Sequence, residues 1–139
     1  MNKLVVADAD VLVALADEKD ANYDKAKKIS SWLLSRNYEI IFPNTAILEA
    51  ITALKRGKNL PEKAHILNRQ YQAGAFLIEF VDDEIQKKAS LRFEKTISKK
   101  NTIFDAIVAE VAIKLKADYI FSFDNWYLKQ GFKLAEVQK

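Results

Sequence analysis

Cysteine is absent from the 139 residues, and histidine occurs once, as His65. The first absence excludes disulfides, thiolate metal sites and cysteine nucleophiles. The second excludes a zinc site built from several imidazoles. Glycine and proline are scarce, at three and two residues. No linker, low-complexity tract or internal repeat interrupts the chain, so one densely structured domain over residues 1–139 is expected. Long apolar runs are missing as well. None approaches the ~20 residues that cross a bilayer, so neither a transmembrane helix nor a membrane partner is expected. The opening Met1-Asn2-Lys3 leads into Leu4 to Ala7 and meets Asp8 at once, too short a run for a secretory segment. It reads as the entry to a buried strand, and cytoplasmic residence is the expectation.

Half of the residues are hydrophobic and 29% are charged, a composition that folds around a core rather than staying disordered. The formal charge is +3 and the pI is near 9.0. This basic balance points only weakly to an anionic partner, because lysine-rich surfaces also serve solubility.

The apolar pattern alternates strands with helices. Leu4 to Ala7 is an unbroken apolar run of the buried, parallel kind. Helices are expected over residues 11–16 and 23–35. A strand over 39–42 is closed by Pro43, and a helix capped by Asn44 or Thr45 runs to Lys55 or Arg56, ending at Gly57. Pro61 opens the next helix, through Tyr71. A third strand is expected over 76–81. Asp82 or Asp83 caps a helix to about Ser98, and Asn101 or Thr102 caps one to Lys116. A fourth strand over 119–123, a helical turn over 125–130 and a last short strand over 132–137 complete the chain. The expected class is α/β: a three-layer α/β/α sandwich on a central, mainly parallel sheet of four to five strands. Such sheets carry their site in the crevice beyond the carboxyl ends of the strands.

Four acids stand in or beside apolar segments. Asp8 ends Leu4-Val5-Val6-Ala7, and Glu49 interrupts Ala46-Ile47-Leu48 and Ala50-Ile51. Asp105 interrupts Ile103-Phe104 and Ala106-Ile107-Val108, and Asp124 follows Tyr119-Ile120-Phe121-Ser122-Phe123. A carboxylate so placed is costly unless paired, hydrogen-bonded or bound to a metal. Asp8 and Asp124 fall just past strand ends, and Glu49 and Asp105 in the first turns of helices, so all four can gather at one edge of the sheet. Crowded carboxylates repel unless a proton or cation intervenes. With only oxygen donors available, the cation indicated is Mg²⁺ or Mn²⁺. Metal-assisted phosphodiester hydrolysis fits this set, since it needs neither histidine nor a protein nucleophile.

These residues resemble the PIN-domain ribonucleases, most closely the VapC toxins of toxin–antitoxin operons. The family opening, a hydrophobic strand followed by Asp-x-Ser/Asn/Thr-Val-Leu, is matched by Val5-Val6-Ala7-Asp8-Ala9-Asp10-Val11-Leu12. Glu49, in Asn44-Thr45-Ala46-Ile47-Leu48-Glu49, matches the second acid. Asp105-Ala106-Ile107-Val108-Ala109 and Ser122-Phe123-Asp124 match the third and fourth motifs. The resemblance implies a Mg²⁺- or Mn²⁺-dependent endoribonuclease with an RNA substrate. Asp8 and Asp105 would be the core metal ligands, Glu49 and Asp124 would complete the acidic pocket, and Ser122 could bond the cluster. It also implies a homodimer and a small antitoxin protein that enters the acidic site. Asp10 departs from the family's small polar residue: either it caps the following helix or it is an accessory metal ligand.

Two other classes share these residues. Asp8-x-Asp10 after a strand also resembles the opening of haloacid-dehalogenase-type phosphatases, with Asp8 as nucleophile; no later Gly-Asp-Asp-like loop accompanies it. The third is a non-catalytic domain that binds RNA or protein. Taken singly, each acid has a plainer reading: a helix cap for Asp8, a solvated helix residue for Glu49, a helix N-terminal charge for Asp105, a turn residue for Asp124. His65 reads as a surface residue. Trp126 and Tyr127 either stack on a base or anchor the last segment on the core. Lys95, Lys99 and Lys100 either contact phosphates or form a solvated run.

Overall fold

Among the described residues, four short apolar strands pair side by side, all parallel, in the spatial order third, second, first, fourth by position in the chain. The computed structural model describes residues 3–138; Met1, Asn2 and Lys139, included in the expected 1–139 domain, lie outside the described residues. The strands are β1 (Leu4–Ala7), β2 (Glu39–Pro43), β3 (Leu77–Glu79) and β4 (Tyr119–Phe121). Between β1 and β2 run α1 (Ala9–Ala16) and α2 (Tyr23–Ser35). Between β2 and β3 run α3 (Asn44–Thr52), widened into a π-helical turn over Ala53–Gly57, and α4 (Pro61–Gln72). Helices α5 (Asp83–Glu94) and α6 (Ile103–Leu115) precede β4, and α7 (Trp126–Lys129) follows it.

Strand periodicity assigns the two faces. Val5, Ala7 and Phe121 pack with Ile29, Leu33, Ile47 and Leu54 from the α1–α4 side. Val6 and Ile120 pack with Ile107, Val108, Val111 and Tyr127 from the α5–α7 side. Val5, Val6, Ile120 and Phe121 are buried, each aliphatic one contributing about 1.5–3 kcal/mol. The three-layer sandwich with a parallel sheet is therefore as expected. Among the described residues, no helix is long and apolar enough to cross a membrane.

Several boundaries differ from expectation. Helix α5 stops at Glu94 rather than near Ser98: Lys95 closes it, and the Thr96 hydroxyl donates to the Arg92 carbonyl at 3.0 Å. Neither Asn44 nor Thr45 caps α3. Pro43 takes that place, and Asn44 instead accepts from the Val81 amide at 2.9 Å, tying the exit of β3 to the start of α3. Thr102, not Asn101, caps α6. The expected last strand is reduced to one parallel bridge between Ile120 and Leu134. It is held by Ile120 N–H to Lys133 O and Ala135 N–H to Ile120 O, both 2.9 Å.

Candidate active site

The carboxyl ends of β1 and β4 lie side by side, because Ala7 pairs with Phe121 and the Asp8 amide donates to the Phe121 carbonyl at 3.0 Å. The chain turns there into α1 after β1 and towards α7 after β4, so both turns deliver acids to one edge. Asp8 is itself the cap of α1: its Oδ1 accepts from the Ala9 amide at 2.7 Å. Capping and site membership thus coincide in one residue. Asp8 is only 5% exposed.

Asp10 does not take the cap. Its Oδ2 accepts from the Ser122 hydroxyl and the Phe123 amide, each at 2.8 Å, stapling α1 to the turn after β4. Ser122 in turn accepts from the Asp124 amide at 3.1 Å. Asp124 accepts from the Trp126 amide at 2.9 Å through Oδ1 and from Asn101 at 2.8 Å through Oδ2. It is a turn residue and part of the acidic group at once.

Asp105 arrives from the first turn of α6. Its Oδ2 accepts from the Thr102 amide at 3.0 Å, completing a capping box, and from Asn101 Nδ2 at 3.1 Å. Its Oδ1 lies 3.5 Å from the Tyr127 hydroxyl, which donates to Asp8 Oδ2 at 2.6 Å. Asp8 and Asp105, ninety-seven positions apart by number, therefore flank one oxygen atom. Glu49 faces the same group from α3.

The electrostatics follow from this crowding. Burial, then the charges of Asp10 and Asp105, push Asp8 well above the usual carboxylate range. Burial also raises Asp10, against the hydrogen bonds from Phe123 and Ser122 that favour its charge. Burial, then Asp105 and Asp10, push Glu49 up to about 7. Burial and the Asp8 charge hold the Tyr127 phenol far above the usual tyrosine range, so it remains a proton donor.

Two buried oxygens, Asp10 Oδ1 and Glu49 Oε1, have no hydrogen-bond partner. Leaving such atoms bare is costly, and repelling carboxylates with bare oxygens suit a hard, oxygen-seeking cation. The residues present therefore fit Mg²⁺ or Mn²⁺, with Asp8, Asp10, Glu49 and Asp105 as available donors. Among the described residues, no three acids already close on one point as a ligand shell does. Tyr127 stands between Asp8 and Asp105, and Asn101 between Asp105 and Asp124.

An open cleft of about 960 Å³ adjoins the acids. Asp10, Asn101 and Asp124 line it together with Lys95, Lys100 and Lys129. His65 is exposed on α4, on the surface as expected. Trp126 and Tyr127 are buried, so they anchor the end of the chain on the core; Tyr127, fully buried, offers no face to a base. Sequence reading missed the site roles of Tyr127 and Asn101. Both had a faint signal, a polar atom on a core-facing aromatic and an asparagine four positions before an embedded acid.

Comparison with known proteins bears on the family and the fold. The PIN-domain family model matches residues 5–132. No significant match is found among curated protein sequences. Among solved structures, the chain is similar to Mycobacterium tuberculosis VapC20, a sarcin–ricin loop cleaving toxin. The TM-score is 0.82 at 18% identity, covering 96% of this chain and 99% of that one. It is also similar to a chain of VapBC2 from Rickettsia felis bound to a DNA fragment from their promoter. There the TM-score is 0.65 at 13% identity, with 97% and 99% covered.

Proposed function

Since this chain belongs to the PIN-domain family, we propose that it is a metal-dependent endoribonuclease, the toxin of a type II toxin–antitoxin pair, acting as one domain in the cytoplasm. The observation that carries the reading is the gathering of Asp8, Asp10, Glu49, Asp105 and Asp124 at one sheet edge, beside a lysine-bordered cleft. A sarcin–ricin loop cleaving toxin among the structural neighbours supports RNA as the substrate class, and the VapBC2 neighbour supports an antitoxin partner. A homodimer belongs to the same proposal.

Asp8 and Asp105 would hold the cation, with Glu49 and Asp124 completing the pocket and Asp10 as an accessory donor. When bound, Mg²⁺ or Mn²⁺ supplies a Lewis acid for the phosphate and a more acidic water. Ser122 orients Asp10, and Asn101 orients Asp124 and Asp105. Lys95, Lys100 and Lys129 would draw the RNA backbone along the cleft. Acids that carry protons in the metal-free site must release them on loading. Asp8, Asp10 and Glu49, all pushed up by burial, are these acids.

The test is RNA cleavage by the purified, antitoxin-free protein with Mn²⁺ or Mg²⁺ supplied, against a chelated control. Metal-dependent internal cleavage supports the proposal; inertness on transfer, ribosomal and messenger RNA with metal present refutes it. A phosphatase using Asp8 as nucleophile would instead trap a phospho-aspartate there, and none is expected.

A further inference from the structure

We propose that Tyr127 and Asn101 are positioning residues: two neutral hydrogen-bond bridges that set the spacing of Asp8, Asp105 and Asp124 before a cation enters. The proposal rests on the metal-dependent reading above and goes beyond it by assigning work to two residues that carry no charge.

The geometry is an alternation of acid and donor. Tyr127 donates to Asp8 at 2.6 Å and keeps 3.5 Å from Asp105. Asn101 donates to Asp105 at 3.1 Å and to Asp124 at 2.8 Å. Each neighbouring pair of carboxylates along this path is thus separated by a neutral group. Asp10 and Glu49, which lie off the path, each keep a bare buried oxygen.

Neither bridge is explained by packing. A phenylalanine would fill the space of the fully buried Tyr127 ring and keep its edge-to-face contact with Trp126, at 5.2 Å between centroids. The hydroxyl adds only a desolvation cost unless its bond to Asp8 repays it. Asn101 is 6% exposed, and every polar atom of its side chain is used. Its Oδ1 accepts from Ser98 Oγ at 2.7 Å, while Ser98 Oγ accepts from the Lys100 amide at 3.3 Å. Ser98 therefore spends its proton on Asn101, which turns the Asn101 amino group towards the two acceptor-only carboxylates.

The bridges reach elements that the chain alone leaves apart. Tyr127 on α7 ties the end of β1 to the start of α6, and Asn101 ties the loop before α6 to the turn after β4. Partners that orient the groups holding a metal typically change its affinity 10–100-fold when removed. The same scale is expected here.

The test compares wild type with Tyr127→Phe and Asn101→Ala, by calorimetric Mn²⁺ titration and by thermal melting with and without Mn²⁺. Both variants are expected to melt cooperatively without metal, to bind Mn²⁺ about 10-fold more weakly, and to gain less in melting temperature from it. With RNA, kcat should fall while KM holds. Wild-type Mn²⁺ affinity and kcat in both variants would overturn the proposal. If both variants fail to fold, wild-type proton spectra decide: the Tyr127 hydroxyl and Asn101 amino resonances should move on adding Mg²⁺, and their standing still would overturn it. Wild-type protein that takes up no Mn²⁺ overturns the metal reading itself, and the proposal with it.

Discussion

The acids and the lysines about the cleft are held in opposite ways. Asp8 is pinned by the Ala9 amide and Tyr127, Asp10 by Ser122 and the Phe123 amide, and Asp124 by the Trp126 amide and Asn101. These residues sit where strands end and helices begin, so the backbone fixes them to the geometry of the sheet. Of the lysines, Lys95 and Lys100 belong to the loop between α5 and α6, where Ile97 is 98% exposed, and Lys129 ends α7. Among the described residues, neither Lys95, Lys100 nor Lys129 makes an ion pair within 4.0 Å. On the proposed function, the difference would separate two tasks. Chemistry at a phosphate tolerates little displacement and is built on rigid ends; binding a flexible anionic backbone needs charge but not fixed positions.

The comparison breaks most severely if one of the rigidly held acids is removed. Asp8→Asn or Asp105→Asn should lower RNA cleavage by more than about 100-fold, the upper end of what removing a supporting partner costs. The folded state should persist, as judged by circular dichroism. An unchanged rate in either variant would show that the buried acids are structural only.

A smaller effect sharpens the electrostatic half. Glu49 carries a folded pKa of about 7, above its ordinary 4.5, and Asp8 and Asp10 are raised in the same direction. The folded protein then binds more protons than the unfolded chain between those values, so stability falls as pH rises through them. Metal-free protein should melt at a higher temperature at pH 5 than at pH 8. Glu49→Gln should make that slope shallower, and saturating Mn²⁺ should largely remove it. Mn²⁺ affinity itself should grow over the same pH range, with protons released on binding.

The lysines predict a gentler response. Replacing Lys95, Lys100 and Lys129 by alanine together should raise KM several-fold with little change in kcat. The dependence of log affinity on log salt should flatten by about 0.7 for each RNA phosphate that the lysines no longer neutralise. A fall in kcat as large as that of Asp105→Asn would erase the distinction between the acids and the lysines. Smallest of all, His65→Ala, on the exposed face of α4, should leave activity unchanged and stability within about 0.5 kcal/mol.

How much of this was legible in the chain depended on range. Asp8 could be read because Leu4 to Ala7 is an unbroken apolar run that must end somewhere, and Asp105 because its helix begins at a recognisable cap. Those are local signals, and they placed β1, β4 and α6 to within a residue or two. Helix α5 was read too long because residues 95–100 hold no glycine or proline to stop it; the end is set by local hydrogen bonds at Lys95 and Thr96. The last strand was over-read because apolar residues 132, 134 and 135 dock on β4 through a single bridge. Asp10 looked like a cap because the helix was expected to begin at residue 11, whereas it begins at Ala9 with Asp8 as its cap. Tyr127 and Asn101 stayed hidden because their partners lie 119 and 23 positions away, and no periodicity encodes a pairing of that kind.

The central claim is that acids far apart in sequence share one divalent ion at the carboxyl edge of the sheet. Anomalous diffraction from crystals soaked in Mn²⁺ tests it most directly. A manganese peak bonded to both Asp8 and Asp105 is the predicted result. A peak elsewhere, or no peak at saturating Mn²⁺, would contradict it.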